Sequence, residues 1–444
     1  MHLPIKAVNI LTKSAKLQSD TVVKRLHDLH PSLIDLSLNR IKRLLKKIGN
    51  PQKRFPCPIH IAGTNGKGSC LAFLQAICEA ANLTVHRYTS PHLVRFSERI
   101  TVAGKNLPDT KIVALLEECE KANRGQDITF FEITTAAAFL AFSRTKADVT
   151  LIETGLGGRF DATNVIERPS LTAITPVAMD HMRFLGNTLD AIAFEKAGIL
   201  KSAVPAIISK QTDIAQSVIN QRAIKIKAPL IVQGHEWDVR SESNGICVID
   251  KNKEIKLPLP ALPGLHQHNN AAQAVIIARR IPHHKISEEA LAAGIKNAVW
   301  PGRMQLITEG NFISQLPKLW KIWIDGGHNA AAAEVISEFC KNWRKQTTIM
   351  IFGSINTRDP KAFLERLSFA PSELICIKIP GEASSLSAAD CSKAAKALGF
   401  KSQEADSIMD AINIATSIAA SGNILVCGSL YLAGAFLEQN GTPP

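Results

Sequence analysis

Short runs of consecutive apolar residues alternate with helical patterns along most of this chain. "CPIHIA", "VTLIE", "SLTAIT" and "VPAIIS" predict buried strands in the first 210 residues, and "KIWID", "TTIMIFG", "LICIKI" and "NILVCG" predict more after residue 320. Between them, stretches such as "CLAFLQAICEAA" and "AAAEVISEFCKNW" predict helices. That alternation predicts parallel α/β layering. A chain of 444 residues is too long for one core. A Pro-Gly turn in "NAVWPGRM", Asn297 to Met304, marks a hinge and predicts domains at 1–300 and 301–444. Residues from about 212 to 262 are less regular and predict a smaller β-rich insertion.

Polar residues cluster where predicted strands end. After "CPIHIA" comes Gly63-Thr64-Asn65-Gly66-Lys67-Gly68-Ser69, followed by a helical pattern. Strand, glycine loop and helix form a phosphate cradle, in which backbone N–H groups and the helix N-terminus face the anion and Lys67 adds a charge. The usual loop has Ser or Thr directly after the lysine to hold Mg²⁺, whereas here Gly68 intervenes. Glu153 ends "VTLIE", Asp180 and His181 follow "SLTAITPVAM", and Asp325 ends "KIWID". In open α/β sheets ligands bind beyond these strand ends. Glu153 then reads as a ligand for a hard cation or as a solvated carboxylate. Lys196 in "AFEKAGIL" reads by itself as a solvated lysine beside Glu195, and His181 as a hydrogen-bonded structural histidine. "GLHQHNN" and "IPHHK" lack the spacing of a zinc site, and the G-x-G-G of "LIETGLGGRFDATN" is a poor dinucleotide fingerprint.

Composition narrows the classes. Hydrophobic residues make up 45% and charged residues 20%, as in an ordinary globular protein. The longest apolar run, "TTAAAFLAF", is about half of a membrane span, and "MHLPIKAVNILTKSAK" lacks the features of a secretory signal. Nine scattered cysteines without a Cys-x-x-Cys pair predict buried thiols in a reducing, cytoplasmic setting. The net charge of +13 fits nucleic acid or a small anionic substrate. Dispersed basic residues and only 5% aromatics argue against nucleic acid.

"HIAGTNGKGS", "YTSPHLVRFSERI", "ETGLGGRFDATN", "DHMRFLGNTLDAIAFEKAGI", "GLHQHNNA", "PGRMQ", "DGGHN" and "GSLYLAGA" follow in this order. Together they closely resemble the folylpolyglutamate synthase/dihydrofolate synthase family of the Mur ligase superfamily, from about residue 30 to the C-terminus. The resemblance implies a Mur-ligase-like α/β fold: an ATP-binding P-loop domain followed by a smaller Rossmann-like α/β domain. It implies ADP-forming ligation of L-glutamate to dihydropteroate and to reduced folates through an acyl phosphate, by a monomer with no nucleic-acid or membrane partner.

The resemblance also assigns residues. Thr64, Asn65, Gly66, Lys67, Gly68 and Ser69 match the nucleotide loop, and Asn270, Arg303 and Asp325 match further ATP contacts. Ser90 of "TSPH" supplies the Mg²⁺ hydroxyl that the loop lacks, joined by Glu153 and His181. Lys196 matches a lysine carbamylated in this superfamily, near a second Mg²⁺. Thr129, Phe130, Phe131 and Glu132, then Arg159, Phe160, Asp161 and Ala162, match the pterin-substrate positions, and His328 lies at the glutamate end. Lys67, Lys196 and His181 are the implied catalytic residues. Ala162, where some extension-only members have Ser, points to dihydropteroate as a substrate. The alternatives are folate extension alone, or another Mur-type ligase. The sequence departs from the family's "DGAHNPHA" at Asp325-Gly326-Gly327-His328-Asn329-Ala330-Ala331, and is longer than usual between Arg303 and Asp325.

Overall fold

A computed structural model of the protein describes residues 37–343 and 345–444. The N-terminal segment "MHLPIKAVNILTKSAK", read above for a secretory signal, lies outside the described residues. The chain packs as two compact units. The first holds the described residues up to His92, Phe96–Leu259 and Asn269–Ala298; the second holds Leu93–Arg95, Pro260–His268 and Val299–Pro444.

The first unit is built on an eight-stranded sheet in the order β4-β3-β2-β5-β1-β6-β7-β8. Its strands are β1 (Pro58–Ala62), β2 (Val85–Tyr88), β3 (Ile100–Val102), β4 (Lys105–Asn106), β5 (Val149–Glu153), β6 (Leu171–Ile174), β7 (Ala206–Ile208) and β8 (Leu230–Val232). Across the sheet from β2 to β8 neighbours pair in parallel, and β3 and β4 add antiparallel at one edge. Central β5 and β6 are buried at every position, which is why they read as unbroken apolar runs. One core cluster gathers Phe55, Tyr88, Phe139, Phe142 and Ile152, and another gathers Ala62, Ile174, Ile192 and Ile208.

Residues 212–262 correct the expectation of a β-rich insertion in their first half. Asp213–Ile226 is a helix whose Thr212 side chain caps it, and Leu230–Val232 is an edge strand of the main sheet. Ile214 and Ile224 of that helix are exposed, so its apolar residues do not mark a single face. The irregular β portion is confined to an antiparallel meander of β9 (Trp237–Glu242), β10 (Gly245–Asp250) and β11 (Lys253–Pro258).

The second unit holds six strands in the order β12-β13-β17-β14-β15-β16. These are β12 (Gln305–Ile307), β13 (Trp320–Ile324), β14 (Thr348–Phe352), β15 (Glu373–Ile377), β16 (Ser402–Ala405) and β17 (Gly422–Cys427). All pair in parallel except β12, which runs antiparallel to β13. Alternate residues of β14 enter different clusters, Ile349 and Ile351 one and Met350 and Phe352 the other, so both faces are covered. The long stretch between Arg303 and Asp325 forms the β12–β13 pair. Its Asn311 and Phe312 amides donate to the Asn440 carbonyl and side chain at 2.8 and 2.9 Å. Eight of the nine cysteines are buried, and Cys57 is partly exposed.

Candidate active site

Strand β1 delivers the glycine loop. Gly63 (φ +149°) lies against Thr175, where a Cβ would overlap that side chain, and Gly66 (φ +89°) lies against Asn270, so both positions require glycine. The Thr64 amide donates to Pro176 O at 3.1 Å, and its hydroxyl donates to Ala178 O at 3.0 Å. These bonds hold the loop on the segment after β6. The helix Lys67–Ala80 begins at Gly66 without a side-chain cap, leaving its positive end to an anion. Gly68 and Ser69 are buried in its first turn.

Two lysines converge on this loop. Lys67 Nζ donates to Gly63 O at 3.0 Å and Thr64 O at 3.2 Å, and lies 3.9 Å from Glu153 Oε1. Lys196, on the helix Leu189–Ala197, donates from Nζ to the same Gly63 O at 2.9 Å. It is 4% exposed, which replaces the reading of a solvated lysine. Burial first, and the nearby Lys67 charge second, lower its pKa to about 7.

Glu153 ends β5 as a buried carboxylate, and its Oε2 accepts the Ser90 N–H at 3.2 Å. The Ser90 hydroxyl is buried without a hydrogen-bond partner. A carboxylate beside a buried unpaired hydroxyl fits a hard, oxygen-liganded cation. His181 (φ +51°) opens the short helical turn Met182–Leu185, exposed and 4.0 Å from Asp180 Oδ2. Among the described residues no three His, Cys, Asp or Glu side chains form a metal cluster, so hydroxyl, water or substrate oxygens would have to complete whatever ligand set the side chains supply.

The Gly155–Asn164 loop docks on the end of the Lys196 helix. The Arg159 amide donates to Glu195 O at 2.7 Å, and the Asn164 side chain donates to Gly198 O at 3.1 Å. The Arg159 guanidinium lies 4.2 Å from the Phe160 ring centroid and 5.0 Å from that of Phe194, and pairs with Glu195 at 2.9 Å. Asp161 and Ala162 are buried. Asp161 accepts the amides of Leu156 at 2.7 Å and Thr163 at 2.9 Å, and the Thr163 hydroxyl as well. Its carboxyl is nevertheless raised in pKa, because burial outweighs those bonds.

Thr129 and Glu132 form a reciprocal capping box on the helix Phe130–Arg144, with Arg40 Nε 3.0 Å from Glu132 Oε2. Phe130 packs edge-on against Phe96, while Phe131 lies beneath Gly155 and stacks with Tyr88 at 6.1 Å. Missing from the sequence reading is His60, in the middle of β1, whose Nε2 lies 2.7 Å from Thr163 Oγ1. An imidazole inside the apolar run "CPIHIA" was the available signal.

In the second unit Asp325 follows β13 and is buried. Its Oδ2 accepts the Met304 amide at 2.8 Å and its Oδ1 the Gly327 amide at 2.6 Å. Burial raises its pKa against the opposing effect of Arg303. His328 Nδ1 lies 2.7 Å from Gly326 O. Asn329 caps the helix Ala330–Cys340, its side chain accepting the Ala332 amide at 2.9 Å.

Residues 61–278 match the Mur ligase middle domain, and residues 311–439 match the dihydrofolate synthetase C-terminal domain. The dihydrofolate synthase/folylpolyglutamate synthase of Bacillus subtilis is 35% identical over 74% of this chain and 78% of its own. That of Escherichia coli is 32% identical over 93% of each. This chain belongs to the dihydrofolate synthase/folylpolyglutamate synthase family. The fold agrees: E. coli FolC in complex with DHPP and ADP superposes with a TM-score of 0.85 at 31% identity, covering 95% of this chain and 97% of that one. A Yersinia pestis bifunctional relative, complexed with AMPPNP and Mn, gives 0.83 at 28% identity, covering 95% and 97%. The glycine loop, Ser90, Glu153, His181, Lys196 and Asn270 fall in the first matched region of this family member. Asp325 and His328 fall in the second, and Arg303 between them.

Proposed function

We propose that this protein is an ATP-dependent, ADP-forming ligase that joins L-glutamate to dihydropteroate and then to reduced folates, through an acyl phosphate. The observation that carries the reading is the cluster of Lys67, Glu153 and Ser90 around an uncapped helix N-terminus. A relative bound to DHPP and ADP gives the ligand classes. A carboxylate is a poor electrophile until phosphorylated, after which an amine displaces phosphate. The loop amides and Lys67 hold the phosphates in line and spread their charge. Mg²⁺ at Ser90, Glu153 and His181 would neutralise charge on the transferring phosphoryl group. A buried amine with its pKa near 7 supports carbamylation of Lys196, which would turn a cation into an anion beside a second Mg²⁺. Asn270, Arg303 and Asp325 then contact nucleotide, and His328 the glutamate. The segments at 129–132 and 159–162 hold the pterin substrate. We assign the phosphate-loop domain to residues 1–300 and the smaller domain to 301–444, in a cytoplasmic monomer. Among the described residues no helix is long and apolar enough to cross a membrane.

Phosphate release with glutamate and ATP tests the reading, with dihydropteroate, a tetrahydrofolate and single-stranded DNA as third components. Release with both pteridines is expected. Release with the tetrahydrofolate alone removes the dihydrofolate-synthesis half, and stimulation by DNA alone removes the ligase reading.

A further inference from the structure

His60 has a place in the fold that packing does not require. It is fully buried in β1, between Ile59 and Ile61, opposite Ile152 of β5 and Thr172 of β6. A central strand of a covered sheet favours an apolar, branched side chain at such a position. Nδ1 of His60 has no hydrogen-bond partner, so the imidazole is held by one end. That end lies 2.7 Å from Thr163 Oγ1. The Thr163 hydroxyl proton is already given to Asp161 Oδ1. The Thr163 oxygen must therefore accept, and the network assigns the ring hydrogen to His60 Nε2. Burial also holds the ring neutral, lowering its pKa to about 3.

A directed chain results, from His60 Nε2–H to Thr163 Oγ1, and from Thr163 Oγ1–H to Asp161 Oδ1. Backbone amides alone would leave the Asp161 carboxylate anchored by Leu156 and Thr163, both in its own loop. His60 ties the loop side chains to the central strand, three residues before the Gly63 carbonyl that takes both lysines. One strand thereby sets the phosphate loop and the carboxylate of the 155–164 loop.

We propose that His60 is a positioning residue for the pteridine substrate, fixing the Asp161 carboxylate through the Thr163 hydroxyl. This rests on the ligase reading, in which the 155–164 loop holds the pterin. KM for dihydropteroate, ATP and L-glutamate is measured separately for His60→Leu, Thr163→Val, their double variant and His60→Gln. In His60→Leu and in Thr163→Val, the KM for dihydropteroate should rise roughly tenfold, the scale of one buried hydrogen bond. The KM values for ATP and glutamate should stay within about twofold, since no bond of the relay reaches them. The double variant should be no worse than either single, because both break one chain. His60→Gln, which offers an N–H at a similar reach, should recover most of the loss. A folded Thr163→Val enzyme with unchanged KM for dihydropteroate overturns the proposal, as does a parallel rise for all three substrates. If the wild type uses only a tetrahydrofolate, the same pattern is expected in that substrate's KM. If the wild type turns over neither pteridine, the ligase reading has failed and this inference with it.

Discussion

Lys67 and Lys196 donate to one backbone oxygen, Gly63 O, yet only the second lies deep enough to lose most of its water. Below its pKa of about 7, Lys196 is charged in the folded and the unfolded chain, and the folded state bears the full cost of burying that charge. Between 7 and the ordinary 10.5 the folded lysine is neutral while the unfolded one holds its proton. Unfolding then takes up a proton, so stability rises with pH across this window. Lys196→Met should therefore be more stable than the wild type at pH 6 in bicarbonate-free buffer. Its advantage should shrink by pH 9, and thermal melts at both values decide it. An unchanged gap would show that the amine is solvated. Lys67→Ala should lose about 10²–10³ in kcat, the scale of removing one donor from a developing phosphate charge, with little change in melting temperature.

Among the elements, the 155–164 loop approaches the turn after the Lys196 helix closely at Gly198. A Cβ on Gly198 would lie 2.7 Å from Arg159 N and closer still to Arg159 Cα and Cβ. Gly198→Ala should cost about 1–3 kcal/mol by forcing these backbones apart. Urea denaturation measures the cost, and ligation should fall with it. That packing was invisible in the sequence because glycine gives no hint of what approaches it. The central strands were legible because β5 and β6 are buried throughout. Strands β3, β4 and β12, at or next to a sheet edge, are only two or three residues long and carry partly or fully exposed positions, so no pattern marks them. The glycine loop between β1 and its helix was legible because its glycines and Lys67 lie together in the sequence. His60 was not, since it meets Thr163 103 positions later, and Arg40 meets Glu132 92 positions later. Thr129 and Glu132 were read through substrate alone, although three-residue spacing before a helix is itself a capping signal.

At the scale of the molecule, the excess of 52 basic over 39 acidic residues bears on encounter with anions rather than on fold. KM for ATP should rise as KCl is increased from about 50 to 300 mM, where the screening length falls below about 10 Å. A salt-insensitive KM would mean that the charge is spread too evenly to steer substrate. The buried thiols have another use. Five cysteines, 57, 70, 78, 119 and 247, belong to the first unit, and four, 340, 376, 391 and 427, to the second. Burial raises the pKa of most of them, and only partly exposed Cys57 offers a surface to a thiol reagent. The thiols of Cys119 and Cys340, one in each unit, are both pushed up to about 12. Each buried sulfur thus works as a timer, reacting only when its surroundings open. Mapping which peptides acquire label, and in what order, would date the opening of each unit separately within one unmodified chain.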